Sequence, residues 1–122
     1  MLVELNAYDM DPRVERALTE MERRITERVT VGELARAAEL SRSRFAHLFR
    51  EQTGCTPMQR LFVIRMERAR ILLERTTLAV NEIMTCVGYN DPSHFARDFR
   101  LRYELGPREY RLQFLAVNSM LR

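Results

Sequence analysis

One stretch of this chain is written twice, fifty residues apart. Ser43, Phe45, Ala46, Phe49, Arg50 and Pro57 recur as Ser93, Phe95, Ala96, Phe99, Arg100 and Pro107. In each copy two phenylalanines four residues apart share one face of a helix, and an arginine follows the second. Another short apolar-periodic segment lies upstream of each copy. A helix, a tight turn and a second helix, made twice, predicts a protein that grips one partner at two equivalent points.

At 122 residues the chain suits one ordinary domain, or two very small cores braced against each other. Its 46% hydrophobic and 30% charged content is that of a globular protein. No apolar run reaches the roughly 18 residues of a membrane span. The start, Met1-Leu2-Val3-Glu4, lacks the basic-then-apolar pattern of a signal peptide, so a cytoplasmic protein with no membrane partner is expected.

The charge is unevenly spread. Residues 1–40 carry six arginines against nine acids, and residues 41–122 carry fourteen against eight. The basic part contains both copies of the repeat, which favours a polyanionic partner. All twenty basic residues are arginine, which a GC-rich genome explains; selection for guanidinium forks that pair with phosphate and guanine is the second explanation. Cys55 and Cys86 have no C-x-x-C spacing and are expected to be small buried residues in a reducing compartment. His47 and His94 fall in different copies of the repeat, so no shared metal is expected. No cofactor and no small-molecule site are evident.

Helix signals divide the chain. Residues 1–10 have little periodicity and read as a tail or linker remnant. Asp11-Pro12 opens a helix whose stripe Val14, Leu18, Met21 and Ile25 carries it to about Arg28. Thr30-Val31-Gly32-Glu33 is a capping box, with hydroxyl and carboxylate exchanging backbone donors, before a short helix ending near Ala38. Ser41 caps the next helix, which buries Phe45, Leu48 and Phe49 and stops at Gly54. Thr56-Pro57-Met58-Gln59 begins a helix of roughly 19 residues, about 28 Å long, to Arg75. Ala79-Val80 starts a second short helix that stops at Gly88, and Asn90-Asp91-Pro92 caps the second phenylalanine helix. Gly106-Pro107 starts a last helix carrying Tyr110, Leu112 and Leu115. The prediction is an all-α protein of about seven helices: two helix-turn-helix subdomains, 11–55 and 76–117, joined by a long linker helix at 56–75, with a tail at 118–122.

Leu34-Ala35 to Ser41, then Phe45, Phe49-Arg50 and Gly54, resembles the first helix-turn-helix of the AraC family of bacterial transcription regulators. Arg65 to Ala69 and Leu72-Leu73 resemble that family's linker helix. Ile83, Val87-Gly88-Tyr89, Ser93, Phe95, Phe99-Arg100, Pro107 and Tyr110-Arg111 match its second and more diagnostic unit. The resemblance covers about residues 11 to 112. Four positions depart from the family pattern: Met84 where a small residue is usual, Glu104 in place of glycine, with Gly106 as the alternative bend, Ala79 without a capping hydroxyl, and Arg60 where an aromatic is common.

The resemblance implies a regulator that binds double-stranded DNA. Two recognition helices would read successive major grooves on one face, roughly 34 Å apart. Its candidate DNA contacts are Arg42, Ser43, Ala46, His47 and Arg50 in the first helix, and Ser93, His94, Arg97 and Arg100 in the second. Arg97 is expected to take a guanine bidentately, with Arg50 and Arg100 on phosphates. Asp98 either accepts from a cytosine amino group or faces the other helices. The competing function is an interaction module of the same fold, acting on another regulator or on RNA polymerase without specific DNA binding. An enzyme is not expected: there is no nucleophile elbow, phosphate loop, zinc set or carboxylate pair at catalytic spacing.

Overall fold

The computed structural model describes residues 9–121, and these form seven α-helices with no strand. They are α1 (Pro12–Arg23), α2 (Val31–Ala37), α3 (Arg42–Thr53), α4 (Pro57–Arg75), α5 (Val80–Cys86), α6 (Pro92–Tyr103) and α7 (Pro107–Met120). Of the tails expected at 1–10 and 118–122, residues 1–8 and 122 lie outside the described residues, and α7 continues to Met120, through most of the second. Two compact units divide between Phe62 and Val63, within α4.

The first unit holds α1 to α3 and the first six residues of α4. Its core is Val14, Ala17 and Met21 from α1, Leu34 and Ala35 from α2, Phe45 and Phe49 from α3, and Leu61. Asp11 caps α1 by accepting from the Arg13 backbone N–H at 2.8 Å. That helix stops at Arg23, short of the predicted Arg28. Arg24 leaves helical geometry and turns its guanidinium to Glu33 at 2.5 Å and Glu27 at 3.3 Å. Ile25 stays buried, so the predicted apolar stripe is completed by a turn and not by another helical turn.

Thr30 caps α2 through its hydroxyl oxygen, which accepts from Glu33 N–H at 3.2 Å. In return the Glu33 carboxylate accepts from the Thr30 backbone and also, at 3.1 Å, from the Thr30 hydroxyl. Between α2 and α3 the chain reverses at Glu39, with φ of 60°. Ser41 caps α3 and Gly54 closes it in the left-handed region. Leu48, predicted inside, is half-buried.

The second unit holds the rest of α4 with α5 to α7. Met66, Ala69 and Leu73 of α4 meet Ile83, Met84, Val87, Phe95 and Phe99 in its core. Phe99 packs against Tyr103 at 4.8 Å and Tyr110 at 5.5 Å between ring centroids. The Tyr110 hydroxyl donates to the Glu74 carboxylate, which also pairs with Arg70 at 2.8 Å. Arg111 spends its guanidinium on three backbone carbonyls, Leu73 at 3.1 Å, Leu78 at 2.6 Å and Thr76 at 3.3 Å. It thereby fixes the loop between α4 and α5 from the side of α7.

The unusual residues of this unit have local solutions. Met84 is accommodated inside the core. Ala79 has no hydroxyl, and its N–H donates instead to Glu82 at 3.0 Å. Glu104 itself adopts φ of 69° and caps α6, whereas Gly106 sits at an ordinary φ of −68°; the bend is therefore at Glu104 and not at Gly106. Neither cysteine is buried as expected, and the two leucines singled out on the last helix face solvent. Leu112 and Leu115 are 64% and 51% exposed on α7, and Cys86 is exposed, with Cys55 half-buried.

Candidate nucleic-acid interface

Each unit presents one helix whose inner face is fixed by aromatics. On α3, Phe45 and Phe49 are fully buried with centroids 5.6 Å apart. A helix advances about 100° per residue, so this anchoring turns Ser43, His47 and Arg50 outward, and all three are exposed; Arg42 lies on the phenylalanine side but is exposed as the first residue of the helix. Ala46 is half-buried at the edge of that face. On α6, Phe95 and Phe99 do the same at 6.1 Å, and Ser93, His94, Arg97 and Arg100 are exposed. Asp91 starts α6 by accepting from both Ser93 and His94 N–H, at 2.9 and 3.3 Å. The cap holds the first turn, where the outward residues begin.

The two outer faces differ in their acidic neighbours. His47 lies 3.8 Å from Glu51 with 85% of its side chain exposed. Arg100 reaches to 4.0 Å of Glu109, and its guanidinium stands where a Cβ at Gly106 would meet it. Asp98 does not stand free on the outer face. Its carboxylate accepts from the Tyr89 hydroxyl at 2.6 Å and is 17% exposed, so it faces the turn before α6. Burial first, and then this carboxylate, push the Tyr89 hydroxyl well above the usual tyrosine range.

Arg44 is an exposed arginine on the same turn of α3 that the sequence reading passed over. The fifty-residue register, which pairs Arg44 with His94 and His47 with Arg97, is the signal that points to it. Among the described residues no helix is long and apolar enough to cross a membrane.

A helix-turn-helix domain family matches residues 34–113, from α2 into α7. The DNA-binding domain of AdpA, a global transcriptional factor solved in complex with a target DNA, has a TM-score of 0.82 at 31% identity. The match covers 89% of this chain and 97% of that one. The chain belongs to the AraC family. A second AraC-type structure, a transcriptional regulator from Chromobacterium violaceum, has a TM-score of 0.80 at 29% identity, covering 89% of this chain and 96% of that one. The lactose operon transcription activator of Staphylococcus xylosus is 35% identical over 91 residues, 75% of this chain and 33% of the activator. The xylose operon regulatory protein of Escherichia coli K12 is 33% identical over 101 residues, 83% of this chain and 26% of that protein. This AraC-family chain thus spans a third or less of the length of these two regulators.

Proposed function

We propose that this chain binds double-stranded DNA sequence-specifically as the DNA-reading part of a transcription regulator, with α3 and α6 entering successive major grooves. The observation that carries this reading is the repeated geometry: each unit locks a helix by two buried phenylalanines and turns an Arg-, His- and Ser-bearing face to solvent. Those side chains match the chemistry of the major groove, where arginine takes guanine O6 and N7, and histidine or serine bonds base edges or phosphates. In this reading Arg97 and His47 read bases, with Ser43, Ser93, His94, Arg42 and Ala46 beside them. Arg50 and Arg100, one turn further along, hold phosphates. The likeness to the AdpA domain bound to its target DNA supports it.

The same reading has the protein act in the cytoplasm without a cofactor and without catalysing a reaction, with RNA polymerase as a secondary protein partner. Selection from random duplex DNA at a defined salt concentration tests it. The expected product is one enriched motif with two conserved blocks about 10 base pairs apart, centre to centre. A pool that enriches no motif, from protein that is folded by circular dichroism, overturns it.

A further inference from the structure

The register of the repeat sets Asp98 in the place of Leu48, and Tyr89 in the place of Leu40, with Asn90 as the one residue inserted between. In the first unit those two leucines are half-buried and line one shallow groove beside α3. The second unit has exchanged that apolar pair for a hydrogen-bonded one. A carboxylate beside a packed helix needs a donor, and Tyr89 supplies it at 2.6 Å.

The exchange reaches the outer face of α6. His94 Nε2 lies 3.3 Å from the same Asp98 oxygen that accepts from Tyr89. The Tyr89 ring meets the His94 ring edge-on, with centroids 5.1 Å apart. The imidazole is thus held at one nitrogen and on one face. The nitrogen facing a carboxylate carries the proton, which leaves Nδ1 as the atom available to a ligand. On the other side Asp98 Oδ1 lies 3.9 Å from Arg97 Nε, behind the guanidinium whose outer amino groups remain exposed.

We propose that Asp98, anchored by Tyr89, is a specificity-determining residue of α6, which orients His94 and Arg97 toward base edges and disfavours unmatched DNA with its own negative charge. The inference rests on the DNA-binding reading above and extends it to a residue that acts through its neighbours Tyr89, His94 and Arg97. On a matched site the Arg97 donors and the His94 Nδ1 acceptor, so oriented, offset the repulsion between Asp98 and the phosphates. On unmatched DNA that repulsion remains.

The test uses the full chain and three variants: Asp98→Asn, Tyr89→Phe, and the double variant Tyr89→Leu with Asp98→Leu, which restores the leucine pair of the first unit. The ratio of affinities for the best selected duplex and a scrambled one is expected to fall about tenfold in each, with scrambled binding strengthened where the charge is removed. In the free protein, nitrogen-15 imidazole spectra should show His94 protonated at Nε2. In Asp98→Asn the amide oxygen that accepts from Tyr89 faces Nε2 without a charge, and in the double variant no acceptor faces it, so His94 should lose its single tautomer. Ratios within about twofold of wild type, with unchanged His94 spectra, overturn the proposal. The double variant keeps that judgement possible if a single variant does not fold. Wild-type protein with no sequence preference at all would overturn the DNA reading and the specificity role together, while the spectra would still report whether Asp98 clamps His94.

Discussion

Arg97 keeps 75% of its side chain exposed on α6 while its Nε is backed by Asp98. A bidentate guanine contact is the strongest use of a fork so presented. Arg97→Ala is expected to cost about 1–3 kcal/mol on the selected duplex and to relax preference at one position. Equal affinity of variant and wild type for their own best sequences, by fluorescence anisotropy, would remove Arg97 from the reading set. Asp11 is a residue-scale case of a different kind. The side-chain and backbone hydrogen bonds from Arg13 lower its carboxyl from the usual 3.8 to about 2. Its folded value lies below its unfolded one, so the stability it contributes is present above the unfolded value and is lost as pH falls toward 2. Carbon-13 titration should place its midpoint near 2; a midpoint near 3.8 would mean that the cap is open in solution.

At the scale of elements, the caps and the aromatic anchors decide the shape of each unit. Phe99 is fully buried against Phe95, Tyr103 and Tyr110, and Phe99→Ala should cost about 3–5 kcal/mol in a urea unfolding series. Glu104 caps α6 in a conformation that L-residues resist, so Glu104→Gly should stabilise by about 1 kcal/mol, read as a higher urea midpoint at unchanged slope. A lowered midpoint would show that the Glu104 side chain contributes more than its backbone costs. Elements with their own chemical signals were legible in the sequence. Pro57 to Arg75 matches α4 to the residue because Thr56 and Gln59 bond at its start, at 2.9 and 3.2 Å. The early end of α1 was not legible. It depends on Arg24 finding Glu33, a contact across nine residues that periodicity does not register. The bend at Glu104 was missed because glycine is the usual bearer of positive φ, and Gly106 offered a nearer match to that rule.

For the whole molecule, the unequal charge of the sequence becomes a prediction about salt. If Arg50 and Arg100 each neutralise one phosphate, log affinity should fall against log salt with a slope of about −1.8 or steeper. Replacing both by alanine should flatten that slope by about 1.8 for selected and scrambled duplexes alike. A slope near zero for the wild type would leave the basic faces without a polyanionic role. Seven helices, their order and the faces of α3 and α6 could be read in advance, since local patterns govern all three. The Tyr89–Asp98 bond could not, because it joins residues on either side of a turn and each alone suits a solvated surface.

The boundary between the units falls inside α4, whose Leu61 belongs to one core and whose Met66, Ala69 and Leu73 belong to the other. A genetic crossover between Leu61 and Met66 would therefore leave each core with its own side chains, whereas one nearer either end of that helix would fill one core with foreign ones. Exchange of whole reading units between relatives is thus confined to one short window of α4. Point substitution on the outer faces of α3 and α6 changes no core residue either, and it is the route by which a chain of this build acquires a new target without exchanging a unit.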